Sequence, residues 1–424
     1  MGSIGVTAAQ EAVWLAQEFA PDRPNNVVTL WDVDGDLDIP MFTSALRTVV
    51  TESGALAVNF RRVDDGPRLV VRDLGEWGPF HLDLSDAHDP ADAARAVVAD
   101  LVSRPFDLGE DVLLRIGSIR LGAAHHLVVL VLHHILTDAF GVLTLLSQRI
   151  AEVYRALQAG SAIPQSTPTS SGHSKARTAL ERPKGPGAAA ASDADAAYRS
   201  SQRFADAERF WRDYLADEPT PAQLPVGVRP AADVAAAPAG YWDTLTEPLG
   251  MVTRTAAIPV AEFASWECTA EALKTSVPDL LAAAATAFLG CMCGLASPLH
   301  AITVNHRTGA VRRSLGLFSN RVPVKAAIAP TANLAELAAD LGRERLAVLR
   351  HARHELALIK RATGRAADER SPFGAIVNVI PFVEALDLAG STARFAGGTF
   401  GAVDEVMICA RLCSTSSRLA WHWT

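Results

Sequence analysis

His133, His134 and Asp138 share one short run, His-His-Ile-Leu-Thr-Asp-Ala-Phe-Gly, which brings two imidazoles and a carboxylate within six positions of one another. Imidazole takes up or releases a proton near neutral pH, and a carboxylate beside it can fix its tautomer and orientation. This is the equipment of an acyl-transfer site. Paired histidines also close core strands without doing any chemistry, so the run has to be weighed together with the elements around it.

Directly before the pair, Leu127 to Leu132 (Leu-Val-Val-Leu-Val-Leu) reads as a fully buried strand, and directly after it Phe140 to Leu157 carries apolar residues at helical spacing. The run therefore occupies a strand-to-helix turn. Upstream, Val27 to Val33 reads as a strand, and Asp38 with Pro40 opens a helix whose stripe is Ile39, Phe42, Leu46, Val49 and Val50. A hairpin signal at Asp65-Gly66 leads into a strand from Arg68 to Arg72, Asp89 and Pro90 open a helix over Ala91 to Leu101, and Leu113 to Leu121 alternates as a strand. Residues 1–160 thus form one α/β lobe. Residues 161–200 turn to Ser, Thr, Pro, Gly and Ala, a composition that predicts a flexible linker. Residues 201–424 form a second lobe, with helices from Phe204 to Leu215, after Pro259, after Ser276 and from Leu334 to His351, and strands near Thr253, from His300 to Val304 and from Gly374 to Ile380. A loose stretch, Pro219 to Gly240, interrupts it.

At 424 residues the chain exceeds the size at which single cores stop growing, and 49% hydrophobic residues suffice for two. A net charge of −8 without a basic stripe argues against nucleic acid. The N-terminus carries no charged-then-apolar signal, so a cytoplasmic protein is expected. The longest apolar run, Leu280 to Cys293, is too short and too rich in alanine to span a bilayer, so no membrane partner is expected and a buried helix is. Cysteines 268, 291, 293, 409 and 413 are odd in number and read as reduced thiols, with Cys291 and Cys293 buried in that helix. No metal is expected: His125-His126 and His133-His134 are adjacent strand residues whose side chains point to opposite faces.

The run from His133 to Asp138 resembles the HHxxxDG core motif of condensation domains of nonribosomal peptide synthetases. Thr7-Ala-Ala-Gln10 with Trp14 resembles that family's opening motif, and Arg104-Pro-Phe-Asp-Leu108 the segment upstream of its active-site strand. Phe210-Trp211 with Leu215 is similar to the helix entering its second lobe, and Gly316-Leu-Phe-Ser-Asn320-Arg-Val-Pro323 and Val377-Asn378-Val-Ile-Pro381 to its two late motifs. The resemblance covers nearly the whole chain. It implies an α/β fold of two chloramphenicol-acetyltransferase-like lobes in a V-shaped pseudo-dimer, with a tunnel between them.

By the same resemblance, His134 is catalytic, either as the base that deprotonates an attacking amine or as a hydrogen-bond donor to the tetrahedral intermediate. His133, Asp138, Gly141 and Asn378 support the site structurally, and Ala139, Phe140, Asn320 and Arg307 are candidates to line the tunnel. No permanently bound cofactor is implied; the substrates ride on the phosphopantetheine of donor and acceptor carrier proteins. The expected product is an amide, or an ester where the acceptor is a hydroxyl, and the chain is a monomer or part of a synthetase, stand-alone or of the N-terminal starter type. Three departures support an alternative, an impaired module that recruits a carrier or partner enzyme. Ala139 stands at the motif's glycine. Asn59 stands where family members commonly have an arginine facing the aspartate, so either Arg61 or Arg62 replaces it or Asp138 lacks that partner. The family's last helix is missing after the strand Arg418 to Trp423.

Overall fold

The computed structural model describes residues 4–63, 66–164, 187–224, 252–366, 369, 371–400, 406–412 and 417–423. The chain divides into two compact units, the first comprising Met1–Ala197, Arg307–Phe318 and Glu384–Ala402, the second Tyr198–His306, Ser319–Val383 and Val403–Thr424.

In the first unit the chain runs β1 (Ile4–Gly5), α1 (Ala8–Phe19), β2 (Asn26–Asp34), α2 (Ile39–Ser53), β3 (Val58–Val63), β4 (Gly66–Val71), β5 (Phe80–Asp83), α3 (Pro90–Ser103), β6 (Leu114–Gly122), β7 (His125–His133), α4 (Ser147–Gln158) and α5 (Gly187–Arg199). Thr7 and Gln10 close α1 with a reciprocal capping box. Asp38 and Asp89 each accept a backbone N–H to cap α2 and α3, with a proline in each first turn. β7 holds the centre of a six-stranded sheet between β2 and β6, antiparallel to both, and is buried from His126 to His133. A near-continuous apolar strand is what such a central position requires.

The second unit contains α6 (Gln202–Tyr214), β8 (Val252–Ile258), α7 (Val260–Ala272), α8 (Val277–Cys293), β9 (Leu299–Asn305), β10 (Ser319–Lys325), α9 (Leu334–Leu349), α10 (Leu356–Ala362) and β11 (Ile376–Ile380). The chain then adds β12 (Leu386–Leu388) and β13 (Ser391–Phe400) to the edge of the first unit's sheet beside β2, before β14 (Val406–Arg411) and β15 (Ser417–Trp423) complete the second unit's sheet. That sheet has the order β10-β9-β11-β14-β15-β8, with β11 parallel to both of its neighbours.

Four expectations need correction. Residues 187–199, read as flexible linker, form α5; alanine is the best helix former, and Ala191 packs with Val311 and Phe318. Residues 165–186 lie outside the described residues, as do 225–240 of the loose stretch. The second lobe is not continuous from residue 201, because 307–318 and the β12–β13 segment belong to the first unit. Cys291 is exposed, since α8 turns Leu280, Ala283, Thr286 and Leu289 inward and leaves that position off the buried face, and Cys293, the last residue of α8, is partly exposed; Cys409 in β14 is buried. Finally, the helix after the histidine run does not keep α geometry throughout: Gly141–Leu146 form a π turn, and the Ser147 hydroxyl donates to the Val142 carbonyl at 2.8 Å. Among the described residues no single helix is long and apolar enough to cross a membrane.

Two buried histidines of the second unit set a pH dependence. His300, against the Thr286 hydroxyl at 2.8 Å, and His354, tilted against the Phe204 ring, are both held down to about 4 by burial. Both are neutral when folded and take up protons at about 6.5 once unfolded, so stability is complete above that pH and is lost as pH falls from 6.5 towards 4. Thermal melts at pH 7 and pH 5 should show a lower Tm at pH 5. His300→Gln, which can still bond Thr286 but cannot charge, should narrow that difference.

Candidate active site

The histidine run leaves β7 as a tight turn. His134 N–H donates to Asn25 O, Leu136 N–H to His133 O and Thr137 N–H to His134 O. From His126 to Asp138 every residue is buried except His134, which is half-buried. Consecutive strand residues face opposite ways, and here that rule separates two identical side chains. His133 points into the core, edge-on to Phe106, with its Nε2 at 3.2 Å from Gln17 Oε1 and its Nδ1 accepting the Ile135 N–H at 3.2 Å. Burial holds it down to about 3, so it stays neutral. His134 Nδ1 donates to the Thr137 carbonyl at 2.7 Å. A carbonyl only accepts, so the neutral ring carries its proton on Nδ1 and its basic lone pair on Nε2.

Asp138 begins the next helix. Its carbonyl accepts the Val142 N–H, and its Oδ1 accepts the Gly141 N–H at 2.9 Å, so it acts as an N-cap. Its Oδ2 accepts two more bonds, from the Phe318 N–H at 2.9 Å and from Arg307 Nη1 at 2.7 Å. Arg307 in turn donates Nη2 to Gly316 O at 2.7 Å and Nε to Ser314 O at 3.3 Å, and lies over the Phe318 and Phe140 rings. The two charged side chains are 2% and 3% exposed, so this is a fully desolvated ion pair with hydrogen bonds at both ends. Ala139 is the first helical residue, and Ala139 and Phe140 are half-buried. A Cβ at Gly141 would overlap Thr137 Oγ1 and crowd Arg307 Nη2, so glycine is needed there for close approach.

These contacts correct several expectations. Asp138 has an arginine partner, and it is neither Arg61 nor Arg62. Arg61 pairs with Glu110, and Arg62 pairs with Glu18 and lies over the Trp14 ring. Asn59 is occupied in another way, donating to the Leu108 and Asp111 carbonyls and accepting from Arg72. Arg307, proposed for a tunnel wall, is spent on Asp138. Asn320, proposed for the same wall, uses its amide on backbone: Nδ2 donates to Ala352 O and His354 O, and Oδ1 accepts from Leu356 N–H. Asn378 is buried within β11, beside Cys409 of β14.

Sequence reasoning passed over two supporting groups. Arg115 donates to the Leu101, Arg104 and Pro105 carbonyls and stacks on Phe106, which fixes the ring that meets His133. Gln17 receives the His133 ring from α1, where Gln10, Trp14 and Gln17 recur at helical spacing on the buried face. Polar residues on a buried face are the signal that could have singled them out.

The condensation-domain family model matches residues 2–177 and 192–390. Among curated proteins, an isonitrile lipopeptide synthase of Streptomyces coeruleorubidus is 29% identical over 405 residues, and a dimodular nonribosomal peptide synthase of Bacillus subtilis 25% over 405 residues. Each alignment covers 95% of this chain, which spans 25% and 16% of those proteins' lengths. The starter condensation domain of rhizomide synthetase, solved with C8-CoA, superposes with a TM-score of 0.83 at 24% identity, covering 99% of this chain and 89% of that one. This chain belongs to the condensation-domain family.

The Asp138–Arg307 pair should carry structure first. Asp138→Ala and Arg307→Ala are each expected to cost about 3–5 kcal/mol in denaturant unfolding, because each strands a buried charge. The double variant should lose clearly less than the sum. An Asp138→Ala protein as stable as the parent would remove the structural role.

Proposed function

We propose that this chain joins a carrier-bound acyl or aminoacyl thioester to an amine during nonribosomal peptide assembly, with His134 as the catalytic residue. One observation carries the reading: His134 alone breaks the buried run from His126 to Asp138, and it is held with Nε2 as its basic nitrogen. Family membership and the relatives' names supply the substrate class.

In the reaction, the amine nitrogen attacks the thioester carbonyl and a C–N bond forms as the carbonyl becomes an oxyanion. Nε2 of His134 takes a proton from the attacking nitrogen. Collapse of the intermediate breaks the C–S bond, and the proton leaves with the thiol of the emptied donor arm. The same nitrogen, once protonated, can donate to the developing charge. Asp138 makes no contact with substrate in this scheme; it holds the turn and the helix start. A hydroxyl acceptor would follow the same path to an ester. The expected partners are a donor and an acceptor carrier protein, each bearing phosphopantetheine, and the expected setting is cytoplasmic. The starter domain among the structural relatives favours an acyl donor, which makes an N-terminal starter role the reading to test first.

Intact-mass analysis tests this directly, with one carrier loaded with a fatty acyl group and a second with an amino acid. The acyl mass should move onto the acceptor with the parent chain. His134→Ala should reduce transfer by about 100-fold or more while leaving Tm unchanged. Absence of transfer with several loaded pairs, together with retained carrier binding, would overturn the catalytic reading in favour of a recruiting module.

A further inference from the structure

The two glutamines of α1 are polar groups on an otherwise apolar buried face, a placement that is costly unless their bonds are made. Gln10 shares its side chain between the α1 cap and the Ile135 carbonyl, to which Nε2 donates at 3.4 Å. Gln17 meets the His133 ring. We propose that Gln17 is a positioning residue for the condensation reaction, acting by fixing the tautomer of His133 and through it the turn that presents His134. This rests on the reading of His134 given above.

Gln17 Nε2 donates to the Pro21 carbonyl at 2.9 Å, and because a carbonyl cannot donate, the amide can face only one way. Its oxygen is thereby turned to His133 Nε2, 3.2 Å away. That nitrogen must carry the ring proton. The other ring nitrogen, Nδ1, then presents a lone pair, and the Ile135 N–H donates into it at 3.2 Å. The opposite tautomer fails at both ends at once, setting N–H against N–H at Ile135 and lone pair against oxygen at Gln17.

Ile135 is the residue after His134, so a shift of its peptide is a shift of the catalytic ring's own backbone. From the other side of the turn, Thr137 O holds His134 Nδ1. Pro21, Gln17, His133 and Ile135 therefore form a directional chain, with every donor and acceptor assigned by the one before it. The burial that keeps His133 uncharged keeps this assignment in force across the working pH range.

The test labels the ring nitrogens of the histidines in the full chain with ¹⁵N and reads the His133 tautomer by NMR, with the signal assigned from its absence in His133→Asn. The parent should show Nε2–H. Gln17→Met, similar in length but without an acceptor, should shift His133 to the Nδ1–H form or a mixture, and should lower kcat for carrier-to-carrier transfer about 10- to 100-fold with KM for the loaded carriers within twofold. Gln17→Glu restores the acceptor and should restore both the Nε2–H tautomer and most of kcat. An unchanged tautomer in Gln17→Met would overturn the proposal, as would an equal loss of kcat in the Met and Glu variants. A parent without transfer activity would remove the function proposed above, while the tautomer of Gln17→Met would still decide the role of Gln17.

Discussion

A carboxylate taken out of water must be neutralised where it stands, and Asp138 imposes that constraint on the whole first unit. An uncompensated buried charge costs several kcal/mol, so the fold must bring a cation and enough donors to one point. It brings Arg307 from 169 positions away, together with the N–H groups of Gly141 and Phe318. Each partner has a structural consequence. Gly141 ties the helix start to the turn, Phe318 and the Arg307 guanidinium tie down the loop from 307 to 318, and Phe318 then offers a face on which Ala191 of α5 packs. The start of the helix after the motif and the loop are tied to one charge, and α5 packs against that loop.

The same frame gives two identical side chains opposite roles. His133 is kept neutral by burial and by a backbone donor at Nδ1, which a charged ring could not accept, while Gln17 Oε1 takes its Nε2 proton. His134, one residue on, has its Nδ1 proton fixed by a carbonyl and is only half-buried. The difference lies in the strand pleat and the turn that ends it, because the two residue types are the same. A buried, neutral His133 gives the turn that carries His134 a fixed support.

Local signals made the strand, the turn and the helix after it legible, since the apolar run, the capping aspartate and the helical spacing all lie within about thirty residues. What could not be read were pairings that depend on distant chain. Arg307 stands in a loop with no local mark of a partner, so Arg61 and Arg62, nearer in sequence, drew attention instead. β12 and β13 belong to the first unit's sheet although the chain reaches them from the second, and no hydrophobic period announces which sheet a strand will join. The exposure of Cys291 is illegible for a related reason. A helix apolar on nearly every side has no polar stripe to show which way it faces. α5 reads as linker because alanine, which looks like low complexity, is also the residue that costs least to fix in a helix.

The departure at Ala139 has its explanation in where close approach is needed. Residue 139 is the first helical residue, a position where a methyl group meets no backbone penalty. The crowded position is two residues further on, where Thr137 Oγ1, Asp138 Oδ1 and Arg307 Nη2 converge on Gly141 and leave no room for a Cβ. An alanine after the aspartate therefore leaves intact what the turn requires, namely a carboxylate that caps the helix and a glycine that lets the arginine reach it. Substitution at the motif's glycine is thus weak support for a decayed site in this chain, whereas retention of Asp138, Gly141 and Arg307 preserves the geometry on which His134 depends.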